Sequence, residues 1–342
     1  MKEHPPTTAE WQQLYALMQQ VKQVAPWEFM TEEMVFGVQN PQTSDIGFIS
    51  VMGSLGEHLS IAVYLGITAL YHFWAVHEQQ APAEQILEIS HLQASFEDRE
   101  LVTPEDRAVI KAVGLKFRGR QAWPLFRSYR PGFVPWHLTQ DEARFLIHAL
   151  TQMLVIAQRL AENDETLEPP DEFTYLVRVP SMQGDDIVWQ DQMMHILPPE
   201  PQGINIQMDL NALTFVKSLP QRNVNVEIDF FMMPVRIQEK KEDRPFFAYN
   251  LLLVDSQSGI ILGVQTMGAD PSFEDMLGRV PLEIVHILAQ SSLRPKSILV
   301  RPSRTQMLLA PLCEGLGIHL KIKPKLRELD AAKASFLAFL ER

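Results

Sequence analysis

Cysteine is almost missing from this chain. Cys313 stands alone among 342 residues, so no intramolecular disulfide can form, and the composition suits a reducing compartment. Long apolar runs are missing too. Ala248–Val254 is among the longest, it is broken by Tyr249 and Asn250, and a bilayer span needs roughly 20 such residues. The first residues, Met1 to Leu14, lack the basic start and apolar run of a secretory signal. The expectation is a cytoplasmic protein with no membrane contact. Cations are in short supply, with 30 Lys and Arg against 42 Asp and Glu, a net charge of −12. The deficit is −9 over residues 1–170 and −3 over 171–342, which excludes a general nucleic-acid coat protein in either half.

Familiar catalytic signatures are equally scarce. The stretch 50–58, Ser50 to His58, is glycine-containing but lacks the Lys-Ser/Thr ending of a phosphate loop. His72 and His77 are five apart, and His91, His137 and His148 are isolated, so no metal set is spelled out. Cys313 has no histidine at short spacing and reads as a small core residue. No cofactor is implied.

What is present is a mixed pattern of helices and strands. Apolar residues at helical spacing predict a helix over 8–24, and β-type runs follow at 34–38, 46–52 and 59–65. Helices are expected at 67–79, 82–88 and 104–113, with a strand at 91–97. Residues 116–136 read as irregular. Thr139, with Glu142 three residues on, opens a strongly amphipathic helix to about 161. The acidic, proline-rich stretch 162–172 is the expected linker. This divides the chain into an α+β domain, 1–165, built on a small antiparallel meander, and an α/β domain, 172–342, with a mixed sheet. In the second, strands are expected at 173–179, 187–190, 224–233, 246–254 and 260–267. A helix at 271–291, a strand at 297–300, a helix at 305–315, a strand at 318–322 and a last helix at 328–340 complete it.

The run of three strands from 224 to 267, then helix, strand, helix, strand, helix, resembles the RNase H-like fold of transposase and integrase cores. Asp229 stands in the first strand where that fold places a metal-binding carboxylate, and Asp255 ends the second. Residues 295–322 are similar to its fourth strand, helix and following short strand. The resemblance implies a divalent-metal nuclease using Asp229, Asp255 and Glu328 or Asp330. The second carboxylate, however, should follow the fourth strand, and Arg301 and Arg304 stand there instead. Two cations at that corner would repel the metal pair such chemistry requires. The implied domain is therefore degenerate, and a non-catalytic binding or interaction protein is expected. The whole chain, with residues 27–41 and 50–66 in front, also resembles bacterial two-domain proteins known only as domains of unknown function.

Three groups remain as candidate sites. Asp229 and Asp255 could form a residual metal site, or could face solvent at strand ends with Asp255 closing a turn. The tract Arg294 to Arg327 holds eight cations against Glu314. Within it, Lys321, Lys323 and Lys325 alternate and Arg301 and Arg304 precede them. It could track phosphates or bind a protein partner, or be an edge strand guarded by lysines. Residues 116–138 interleave Arg118, Arg120, Arg127 and Arg130 with Trp123 and other aromatics. That composition suits an anionic ligand, nucleic acid included, but equally a proline-stiffened structural segment whose arginines meet acids from 97–106 or 139–142.

Overall fold

The computed structural model describes residues 3–162, 167–168, 170–184, 186–200, 203–238, 240, 243–302 and 304–340. They form two units. The first comprises 1–131 and 135–200, and the second 132–134 and 201–342.

The first unit is a seven-stranded sheet in the order β5-β4-β3-β2-β1-β6-β7. Its strands are β1 Phe36–Gln39, β2 Ile46–Met52, β3 Ser60–Leu65, β4 His91–Glu97, β5 Trp123–Tyr129, β6 Thr174–Gln183 and β7 Asp186–His195. Only β1 and β6 pair in parallel. Helices α1 (Thr8–Val24) and α4 (Gln140–Glu162) share one face, burying Leu14, Met18, Leu146 and Met153 against Phe36, Val38, Ile49 and Val63. Each starts with a reciprocal cap. Thr7 and Glu10 close the first, and Thr139 and Glu142 the second, satisfying backbone N–H groups that a helix start leaves unpaired. Helix α2 (Gly66–His77) covers the opposite face, packing Leu70 and Phe73 on Phe48 and Tyr64. Helix α3 (Pro104–Ala112) joins the α1 side through Ile110.

Two expectations are corrected here. Residues 123–129 are not irregular but form the edge strand β5, fully registered on β4 from Tyr129 opposite His91 to Trp123 opposite Glu97. Prolines 124 and 131 masked the strand, yet proline is tolerated on an edge, where no further ladder bond is needed. The expected division at 162–172 moves to 200–201. Strands β6 and β7, ten residues each, form a hairpin that joins β1, so they complete the first sheet. Polar composition marked the connection before the hairpin, part of which (163–166 and 169) lies outside the described residues.

The second unit is a five-stranded sheet in the order β10-β9-β8-β11-β12: β8 Gln221–Ile237, β9 Phe246–Asp255, β10 Ile261–Met267, β11 Arg294–Val300 and β12 His319–Ile322. Strands β8, β9 and β10 are antiparallel, and β11 and β12 run parallel to β8. Helix α5 (Leu210–Ser218), which the sequence reading lacked, is capped by Asp209. It lies with α6 (Phe273–Gln290) and α7 (Arg304–Leu316) over the face carrying Val226, Ile228 and Ile298. Gly278 lets residue 205 cross α6 closely, because a Cβ there would fall 2.3 Å from the Asn205 carbonyl oxygen. Helix α8 (Arg327–Leu340) covers the other face, with Leu326 and Leu329 on Leu252 and Val254. No helix among the described residues is long and apolar enough to cross a membrane.

Candidate functional site

Alternation along β8 decides which acids can meet. Val226, Ile228 and Phe230 enter the core under α6 and α7, so Glu227 and Asp229 turn to the α8 face. Glu227 is buried and accepts the Leu329 N–H at 2.8 Å. A sheet carboxylate thus caps the first turn of α8, where the helix dipole favours negative charge. On the neighbouring strand Leu299 lies opposite Glu227, which carries Arg301 to the level of Asp229. There the Arg301 guanidinium spans two acids. Its Nη1 donates to Asp229 Oδ2 at 2.6 Å, and its Nη2 donates to Asp330 on α8. The Asp229 side chain is 14% exposed, Arg301 28% and Asp330 48%. Asp229 Oδ1 also accepts the N–H of Phe230 at 3.1 Å.

Asp255 does not join them. It pairs with Val226, so it belongs to the opposite face from Asp229. Its Oδ1 accepts the N–H groups of Gln257 and Ser258 at 2.8 and 2.9 Å, closing the β9–β10 turn. The bond from Ser258, opposed by burial and helped by the bond from Gln257, holds its carboxyl below the usual range. Glu328 packs beside Gly259 of the same turn, where an added Cβ would lie 3.0 Å from its Oε2. The four expected acids therefore do not converge: Asp229 and Asp330 share Arg301, Asp255 closes the β9–β10 turn, and Glu328 lies beside Gly259 of that turn. No group of three or more His, Cys, Asp or Glu among the described residues is arranged to hold a metal ion.

The other cations of this tract scatter. The Arg304 guanidinium lies 5.2 Å from the Phe273 ring centroid. Arg294 donates to the carbonyls of Leu316 and Lys217, tying helix ends together. Lys321 sits on the edge strand β12 opposite Leu299, and Lys323 follows with its N–H on the Val300 carbonyl. Both are exposed, as is Lys325. Cys313 is buried in the core, and burial pushes its thiol up to about 12.

In the first unit the arginines of 116–138 are divided as well. Arg127 forks onto Asp106 with bonds of 3.0 and 2.6 Å, its side chain 13% exposed. Burial opposes the Asp106 charge. The bonds from His137, Arg127 and Thr103 outweigh it and hold the carboxyl well below its usual range. Arg130 bridges Glu142 and Glu3 at 2.9 and 2.6 Å. Arg120 is nearly free in solvent, 4.0 Å from Asp98. Arg118 lines a cleft of about 310 Å³ with Lys22, Lys116, Phe96 and Phe117. Trp123 is half-buried and lies 6.0 Å from Phe117. One arginine of the four lines that cleft, while two are engaged by acids from the stretches 97–106 and 139–142.

Residues 11–178 match the family described as Domain of unknown function (DUF7309), and residues 213–337 match the one described as Domain of unknown function (DUF6930). The two matches follow one another along the chain without overlap. No curated protein matches it. The DUF6930 match contains Asp229, Asp255, Arg301, Glu328 and Asp330, and the DUF7309 match contains the whole 116–138 tract.

The sequence reading overlooked Glu227. Its signal was there, because β-alternation puts residue 227 on the same face as Asp229 and a buried glutamate in a strand needs a donor. The donor is a helix start 102 residues away in sequence, which spacing alone does not reveal.

Proposed function

We propose that this is a non-catalytic binding or interaction protein of the bacterial cytoplasm whose second domain is a degenerate RNase H-like fold. The strand order β10-β9-β8-β11-β12, antiparallel then parallel, with helices after the third, fourth and fifth strands, supports the fold reading. One observation carries the functional reading: Arg301 lies between Asp229 and Asp330. Metal-dependent phosphoryl transfer asks for carboxylates free to hold divalent cations, which activate water and steady the leaving oxygen. Here one fixed guanidinium already bridges both acids and offsets one of their two charges, its fork matching carboxylate geometry and its charge permanent. A second cation entering between them would meet repulsion. The exposed Lys321, Lys323 and Lys325 beside this corner favour an anionic partner over a metal.

The test is incubation of the full chain with single- and double-stranded DNA, RNA and RNA–DNA hybrids in Mg²⁺ or Mn²⁺. The expected result is no cleavage above that of Asp229→Ala. Cleavage by the natural chain that disappears in Asp229→Ala would restore the metal-nuclease reading.

A further inference from the structure

The first unit holds a cleft of about 420 Å³ that none of the expected sites includes. Its volume lies within the range typical of small-molecule sites. One wall is helix α2 and its end, where Tyr71, Trp74 and Glu78 follow at i, i+3 and i+7 and so share a face. The other is the entry to β6, where Phe173 and Tyr175 alternate onto one side with Glu172 just before them. Four aromatic rings and two carboxylates thus line one space, and no Lys or Arg is among the lining residues.

The polar tips of the aromatics are occupied by the protein itself. Trp74 Nε1 donates to Tyr175 Oη at 3.0 Å, and Tyr71 Oη donates to the Ile196 carbonyl at 2.6 Å. What the rings offer a visitor is their carbon surface, not hydrogen bonds. The carboxylates are at the rim. Glu78 accepts from Gln80 Nε2 at 2.6 Å, and both acids are exposed. Among the described residues no cation pairs with either. The field they set up reaches the wall: the Tyr71 and Tyr175 phenols are pushed up by burial first, and Glu172 adds to it in each case.

We propose that this cleft binds a small quaternary or methylated ammonium compound. The sign of the lining excludes anions. A neutral apolar ligand would gain nothing from Glu78 and Glu172. A bare ammonium is strongly hydrated and needs acceptors for three N–H groups, where the cleft offers mainly ring carbon and two rim carboxylates, one already bonded to Gln80. A quaternary ammonium has no N–H to satisfy, and each added methyl group leaves fewer; such an ion sheds water readily and is drawn to the negative faces of Trp and Tyr rings. The site is in a different unit from Asp229 and Arg301, so it stands or falls independently of the reading given for them.

Calorimetric titration of the full chain with choline tests this, with 3,3-dimethylbutan-1-ol as the uncharged shape match. Choline should bind about tenfold or more tightly than the alcohol. Glu172→Gln, an exposed position, should weaken choline several-fold without altering the melting temperature, and Trp74→Phe should weaken it further. Phosphocholine should bind more weakly than choline, because its phosphate meets Glu78 and Glu172. Tighter binding of phosphocholine would point to a lipid headgroup and overturn the small free cation. No heat with choline, equal binding of the alcohol, or choline binding untouched by both substitutions would overturn the site.

Discussion

Replacing Arg301 by methionine keeps the aliphatic stem and removes the fork that holds Asp229 and Asp330. Two carboxylates would then face each other with no counter-charge. Breaking a fully buried pair costs about 3–5 kcal/mol, and an exposed pair is worth about 0.2–1 kcal/mol. Asp229 is nearly buried at 14% and Asp330 is half exposed at 48%, so the expected loss is about 2 kcal/mol. All six tryptophans lie in the first unit, so their fluorescence does not follow this change. Hydrogen exchange read by mass spectrometry on peptides from 221–237 and 327–340 does. A loss of about 2 kcal/mol appears as roughly thirtyfold faster exchange in the most protected amides. Asp229→Asn in the same background should give back part of that loss, with a coupling of at least about 1 kcal/mol between the two positions. Exchange accelerated less than about threefold, with no coupling, would refute the claim that Arg301 is held between these acids.

Two predictions concern the first unit, where tryptophan fluorescence during urea unfolding is the direct probe. His91 is buried, stacked on Tyr129 at 3.9 Å, with its Nδ1 on the Ile89 carbonyl, and burial lowers its pKa to about 4. Above pH 6.5 it is neutral folded and unfolded. Between 6.5 and 4 only the unfolded chain takes up the proton, so stability falls with pH, by about 2 kcal/mol at pH 5 relative to pH 7. His91→Phe should flatten that slope, and an unchanged slope would show that another group causes it. Asp106 adds to the same trend at lower pH, because the bonds from His137, Arg127 and Thr103 outweigh burial and depress its folded pKa. Its contribution is present above the ordinary carboxylate range and lost as pH falls below it. Asp106→Asn should cost about 2–3 kcal/mol at pH 7 and remove part of the acid instability below pH 4. A loss under about 0.5 kcal/mol would show that the Arg127 fork is not formed in solution.

Periodicity made most of the architecture legible. Helix 8–24 and strands 46–52 and 91–97 were bounded to the residue, because caps, alternation and turn residues agree there. The five strands of the second sheet and their antiparallel-then-parallel arrangement also followed from element order. Strand β5 was hidden by Pro124 and by the cations around it, although Asp106 and Glu142, which meet Arg127 and Arg130, lie in the two acidic stretches expected for them. The hairpin of β6 and β7 was assigned to the wrong half because its parallel partner, β1, lies more than 130 residues earlier. At the candidate site, the charge reversal at Arg301 was legible. The partition of Asp229 from Asp255 was not, since it depends on which residue of β8 lies opposite Asp255. The aromatic cleft went unread because its two walls are joined only by folding, although Tyr71, Trp74 and Glu78 already share a helical face.

The most direct test of the central claim is Mn²⁺ binding, followed by electron paramagnetic resonance on the natural chain and on Arg301→Asp. If the guanidinium stands in for the cation, the natural chain should take up no stoichiometric Mn²⁺. Arg301→Asp brings a third carboxylate to Asp229 and Asp330, and should gain about one ion per chain. Stoichiometric Mn²⁺ on the natural chain, lost in Asp229→Asn, would contradict the account.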